Sequence, residues 1–249
     1  GDIIMVGAYA VFTTLAAGGN LAIGVLASVI VCTLMGIIIE KVAYRPLRGV
    51  TPIAVLITAI GVSYLLQSIA QLIFGAKAQS VSLPSLGAVS IAGTNVSVSS
   101  ILTMGISAVI MIALTLFIKK TRTGRAMLAV SEDRGAAQLM GINVNKIITV
   151  TFAIGSALAS VFYLFQIPTA EPTLGSMPGI KAFTAAVIGG IGSIPGAMIG
   201  GVLLGVIEKI CLAVPVLAPY TTAVEFSLLI LILLVRPIGL LGKKRREKV

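Results

Sequence analysis

The sequence predicts an all-α, polytopic membrane protein with about seven membrane segments, one of them short and glycine-broken. Three observations carry that expectation. First, 57% of the 249 residues are hydrophobic and only 10% are charged, with a mean hydropathy of +1.11. A water-facing globule carries about a quarter charged residues, so this composition cannot coat one. Second, the apolar residues fall in runs separated by short polar breaks. At about 1.5 Å per residue, roughly 20 residues cross a hydrocarbon layer of about 30 Å. Third, the cations are segregated: of 18 Lys and Arg, 15 fall in three clusters. These are Lys41, Arg45 and Arg48; Lys119, Lys120, Arg122, Arg125, Arg134 and Lys146; and Arg236, Lys243, Lys244, Arg245, Arg246 and Lys248. Such alternation between loops follows the positive-inside pattern and places all three clusters in the cytoplasm. The net charge of +10 therefore reflects topology, and a lipid bilayer rather than nucleic acid is the expected partner.

Taken in order, residues 3–17 form a first apolar helix of marginal length, bounded by Gly18, Gly19 and Asn20. Residues 21–39 make a full second span that delivers the basic EKVAYRPLR to the inside. Thr51 can cap and Pro52 fits a first helical turn, so a third helix runs over 53–74 and stops at Gly75. Its Ser63, Gln67 and Gln71 recur four apart and share one face. That strip serves either interhelical hydrogen bonding or a polar path. Residues 76–100 read as an external loop, whose alternation in SVSLPS and VSIAGTNVSVSS predicts short extended pieces turning at Gly93 to Asn95. A fourth helix over 101–118 returns the chain to a cytoplasmic loop, residues 119–146, with two short helices punctuated by Gly124 and Gly141. Residues 147–166 form a fifth span with a small-residue face of Gly155, Ser156, Ala157, Ala159 and Ser160. Three prolines then place IPTAEPTLGSMPG outside as an irregular segment.

The run KAFTAAVIGGIGSIPGAMIGGVLLG is the second informative stretch. Residues 182–194 are too short for an ordinary span, and Gly189, Gly190, Gly192 and Pro195 would weaken a helix in water. Within a membrane such a break is tolerated when protein encloses it or an aqueous cavity borders it. Gly192, Gly196 and Gly200 also make small-xxx-small steps, which suit tight packing. Residues 197–214 run outward and 221–235 return to the basic tail, 236–249. Glu208, Lys209 and Glu225 lie nearest membrane depth, with Lys209 to Glu225 as a possible pair and interfacial snorkelling as the preferred alternative.

The chemistry the chain lacks is informative. There is no His, Cys32 and Cys211 sit inside apolar runs, and no metal site or disulfide framework is expected. No nucleophile elbow, HExxH, CxxC or paired carboxylate motif occurs, so the chain is not expected to be an enzyme. No GxxxxGK[ST] phosphate loop occurs either, and any ATP must be bound by other chains. Within the cytoplasmic loop, Ala136 and Ala137 precede Gly141 by an AAxxxG spacing that lets a short helix seat closely in a partner.

Several stretches together resemble a known family. EDRGAAQLMGINVNKI, GIKAFTAAVIGGIGSIPGAMIGG and the final LLILILLVRPIGLLG, with GDIIMVGAY and YRPLR, are similar to the integral-membrane permeases of bacterial branched-chain amino acid ABC importers, of the LivH type. The resemblance covers essentially the entire chain. It implies one transmembrane permease domain over residues 1–249, in a bacterial inner membrane with a cytoplasmic C-terminus. It implies two cytoplasmic ATP-binding subunits, a second permease subunit and a soluble substrate-binding protein, with ATP bound only by the partners. Members usually carry a further segment leading into an HGD motif, of which GD remains here, so a preceding helix is expected to be missing. The ATPase-coupling element maps by motif onto residues 132–141, with Glu132, Asp133, Ala136, Ala137 and Gly141 as its residues. In the family's EAA pattern Glu directly precedes the alanines, whereas here Gly135 takes that place. The pathway candidates are Ser63, Gln67 and Gln71 on helix three and Thr184, Gly189, Gly190 and Gly192 in the broken segment. The rival reading is a secondary transporter coupled to an ion gradient, against which stand the missing His and the lack of a clearly central acid.

Overall fold

The computed structural model describes residues 1–80, 87–91, 94–163, 169–190, 192–236 and 239–242. Gly93 at the expected hairpin turn, the expected end of the fifth span at 164–166 and the cations from Lys243 onward lie outside the described residues. Helices dominate: α1 (Asp2–Ala16), α2 (Leu21–Ile39) continued by a π-helical turn (Glu40–Tyr44), α3 (Pro52–Phe74), α4 (Val98–Lys120), α5 (Arg122–Glu132), α6 (Arg134–Leu139), α7 (Val144–Tyr163), α8 (Ser176–Gly189), α9 (Ile194–Ala213) and α10 (Thr221–Val235). Four short strands, β1 (Gln79–Ser80), β2 (Ala88–Ile91), β3 (Thr94–Ser97) and β4 (Thr169–Ala170), form two antiparallel pairs, β1 with β4 and β2 with β3. Asn95, expected in the turn, instead pairs with Ser90 inside the hairpin. Among the described residues six helices are long and apolar enough to cross a membrane, while α1 is shorter. Their outward faces are lined with exposed Leu, Ile and Val, as lipid requires. The chain is a multi-pass membrane protein.

Two compact units form, Gly1–Ser176 and Met177–Val249. In the first, α1 lies against α2, α7 and α3, and the core gathers Met5, Ala8, Tyr9 and Val11 with Leu66 and Ala70 of α3. Contacts between α1, α2 and α7 use small side chains: Ser28 donates to the Gly7 carbonyl at 3.1 Å, and Ser156 and Ser160 are buried. Small residues let backbones approach closely where the bilayer supplies no hydrophobic drive between helices.

The segment after α7 departs from expectation. β4 pairs at Gln79, beyond the end of α3, yet six residues later Ser176 Oγ lies 3.2 Å from Gln67 Nε2 in the middle of that helix. The intervening turn, with Leu174 buried, therefore descends to mid-span instead of staying outside. Irregular backbone at this depth is stable because protein encloses it.

In the second unit α8 and α9 form a tight antiparallel pair. A side chain at Gly200 would collide with the Ala185 carbonyl, and one at Gly189 with the Gly196 carbonyl. The amides of Leu240 and Leu241 donate to the carbonyls of Ile188 and Gly189 at 2.9 and 3.0 Å. They satisfy acceptors that the end of α8 would otherwise leave open.

Candidate functional site

A polar cluster forms inside the first unit at half the length of α3. Ser63 and Gln67 stand eleven and fifteen residues past Pro52 on this 23-residue helix. Both turn to the first turn of α1, where Ser63 donates to Asp2 Oδ2 and Gln67 Nε2 donates to Asp2 Oδ1 at 2.8 Å. Gln67 Nε2 is also 3.3 Å from Ser63 Oγ. Two helices, α1 and α3, thus meet at one carboxylate beside the middle of α3, in a chain whose sequence offered no clearly central acid. Gln71, one turn further along α3, is exposed and outside this cluster. Thr184 is buried on α8 and donates to its own helix at the Ile180 carbonyl, 2.9 Å away. Gly189 and Gly190 are buried, with the chain around Gly239 against Gly190, and Gly192 takes a positive φ in the turn before α9. These glycines serve packing and reversal in this structure.

Above Asp2 the α1–α3 contact becomes apolar. A crevice of about 330 Å³ is lined by Met5, Tyr9, Met35, Leu66, Ala70 and Phe74, among others. The Tyr9 and Phe74 rings stack at 4.2 Å. Tyr9 is 4% exposed, and its hydroxyl has no hydrogen-bond partner among the described residues.

The loop of residues 119–146 folds as α5 and α6. The Asp133 side chain caps α6 by accepting from the amides of Gly135 and Ala136 at 2.8 and 3.0 Å. At the other end Gly141 has φ +78°, its amide donates to Gln138 and the Ile142 amide donates to Ala137. This 6→1 and 5→2 pair closes the helix and needs a left-handed residue at Gly141. Ala137 is buried and seats α6 against Val130 and Val144. Glu132 and Ala136 are exposed, and so are the apolar side chains of Leu139 at 90% and Met140 at 82%. Of the coupling residues read from the motif, Ala137 and Gly141 hold the element in place, and the outward surface belongs to Glu132, Ala136, Leu139 and Met140.

A network that the sequence did not reveal ties this loop to α2. Glu40, 0% exposed, opens the π-helical turn and pairs with Arg48. Thr149 Oγ1 donates to Glu40 Oε2 at 2.6 Å, and Arg48 also donates to Asn145 Oδ1. Asn145 and Thr149 occupy the first turns of α7, directly after Gly141. One widened turn interrupts the regular helix there, a device found often at functional positions.

In the second unit Lys181 Nζ lies 2.8 Å from Glu208 Oε1 and 3.2 Å from Glu225 Oε1. Lys209, the possible partner of Glu225 in the sequence reading, is exposed instead. Neighbouring residues on a helix diverge by about 100°, so Glu208 and Lys209 cannot share a face. Glu225 is 2% exposed, which excludes snorkelling.

The described residues contain no group of His, Cys, Asp or Glu able to hold a metal ion.

Comparison with known proteins bears on this geometry. The family model described as "Branched-chain amino acid transport system / permease component" matches residues 1–233. The high-affinity branched-chain amino acid transport system permease protein BraD of Pseudomonas aeruginosa is 44% identical, over 100% of this chain and 86% of its own length. The LivH permease proteins of Salmonella typhimurium and Escherichia coli K12 are 42% and 41% identical, with the same coverage. No solved structure matches the chain. These relatives are transport permeases rather than enzymes. A match across nearly the whole chain, joined to a multi-pass helical fold, means that this chain belongs to the family of branched-chain amino acid transport system permease components.

Proposed function

We propose that this chain is the translocation subunit of an ATP-driven importer for branched-chain amino acids in a bacterial inner membrane. The substrate class follows the relatives' printed function. The basic end of the helices faces the cytoplasm, the C-terminus included. Two permease subunits, identical or related, enclose the path. Two cytoplasmic ATP-binding subunits supply the ATP sites, and a soluble binding protein delivers substrate to the opposite face. This chain binds no cofactor.

The observation that carries the reading is α6. It is a short, doubly capped helix on the basic side, rooted by Ala137 and tipped by exposed Leu139 and Met140. Exposed apolar side chains on a loop that faces water mark a contact surface. When an ATPase dimer closes on ATP and moves α6, the Gly141 turn passes that motion into α7, and Asn145 and Thr149 pass it to Arg48 and Glu40 at the foot of α2. The helices then rock and open the path alternately to each side.

Leu139→Asp tests this in vesicles holding the whole transporter. Leucine uptake should fall at least tenfold, basal ATP hydrolysis should persist, and stimulation by loaded binding protein should vanish. Wild-type uptake by this variant would remove α6 from the coupling surface.

A further inference from the structure

We propose that a basic pocket between the foot of α2 and the start of α7 holds the phosphate of an anionic phospholipid. This goes beyond the transport reading and borrows from it only the cytoplasmic placement of the basic helix ends. Lys41 and Arg45, on the π-helical turn and at its end, face Asn143, Asn145, Lys146 and Thr149 across a pocket of about 310 Å³. All three cations are exposed, and none lies within ion-pair distance of an acid among the described residues. Topology asks for cations at this end of the helices, but it does not ask two segments far apart in sequence to bring theirs to one pocket.

The pocket offers donors. Asn143 Oδ1 accepts from the Lys146 amide at 3.1 Å, and Asn145 Oδ1 accepts from Arg48. With its oxygen engaged, each amide leaves only an NH2 group to a ligand. No acid is among the described residues that line the pocket. The nearby Glu40 is buried, with one oxygen paired to Arg48 and the other taken by Thr149 at 2.6 Å, so its charge is balanced. Three unbalanced cations and two neutral donors suit a group that is negative and only accepts, and the first turn of the 20-residue α7 adds the positive end of its dipole. Depth selects the source of that group. The apolar spans Leu21–Tyr44 and Val144–Val161 meet the pocket at their ends, the level at which lipid headgroups lie. Basic pockets between helices on this side of a membrane take such headgroups. A phosphate seated there would bridge Lys41 and Arg45 to Lys146, and so join α2 to α7 beside the Glu40 network.

The test titrates the complete transporter, in neutral detergent, with phosphatidylglycerol or phosphatidylcholine and counts bound lipids by native mass spectrometry. One phosphatidylglycerol should be held at least tenfold more tightly than phosphatidylcholine. Lys146→Gln should weaken it about fivefold, the worth of one cation at an anionic lipid surface. Lys41→Gln with Arg45→Gln and Lys146→Gln should remove it; if that variant does not accumulate, Lys146→Gln alone decides. Lys119→Gln with Lys120→Gln and Arg122→Gln takes the same charge from outside the pocket and should change the affinity less than twofold. Unchanged affinity in the pocket variants, or an equal loss in both triple variants, overturns the site. Displacement of the lipid by millimolar inorganic phosphate would make free phosphate the ligand and overturn the lipid assignment. Release of the ATP-binding subunits by Lys146→Gln, with lipid affinity unchanged, would make the pocket a subunit contact and overturn it as well.

Discussion

Removing either partner of the Glu40–Arg48 pair should destabilise the protein far more than removing both. Glu40 is wholly buried, so Arg48→Met leaves its carboxylate with Thr149 as its one remaining side-chain donor. An uncompensated charge of this kind costs about 3–5 kcal/mol. At roughly 2–4 °C per kcal/mol for a chain of this length, the melting temperature should fall on the order of 10 °C. Glu40→Gln keeps the bond from Thr149 but leaves Arg48 without its carboxylate, and the 18% exposure of the Arg48 side chain lets water soften that loss. The double variant Glu40→Gln with Arg48→Met removes both charges and should recover at least half of the loss, because isosteric replacement of a buried pair is often neutral. Thermal unfolding of the transporter in lipid nanodiscs, followed by the intrinsic signal of a thiol-reactive dye, measures all three. Losses under about 1 kcal/mol for Arg48→Met, or strict additivity in the double variant, would refute the argument that this network joins α2 to α7.

Two further outcomes follow from packing and charge in the second unit. Gly200→Leu should abolish accumulation of folded protein because its side chain would enter the Ala185 carbonyl, while Gly205→Leu, with open space around it, should be tolerated; equal yields in membranes would contradict this. Lys181→Met should lower thermal stability by several degrees, and more than Glu208→Gln, because it strips the buried Glu225 of its cation. Equal stability of the two variants would show that the ion pairs are screened.

The spans were legible because lipid exposure forces long apolar runs, and length alone then fixes a helix. Helix ends were legible in part: Pro52 opens α3, although Thr51 before it makes no side-chain cap, and Gly141 ends α6 with a left-handed turn. The descent of the chain to Ser176 was not. Its prolines read as an outside loop, yet Pro178 falls in the first turn of α8, where a missing amide costs nothing. Ser63 and Gln67 were visible as a polar face, but their shared partner Asp2 lies 61 and 65 residues away, so no local spacing marks it. Glu40 was hidden among cations that read as topology, and Thr149, its partner, stands 109 residues on. Long-range polar pairing leaves no periodic trace, which is why the elements and the α6 turn were readable and the partners of Ser63, Gln67 and Glu40 were not.

The most direct measurement is leucine uptake by the complete transporter in sealed vesicles, with ATP supplied to the side that carries the basic loops and all ion gradients collapsed by ionophores. Uptake that requires ATP and survives the ionophores is the result expected of this permease. Uptake that proceeds without ATP and disappears with an ion gradient would contradict it.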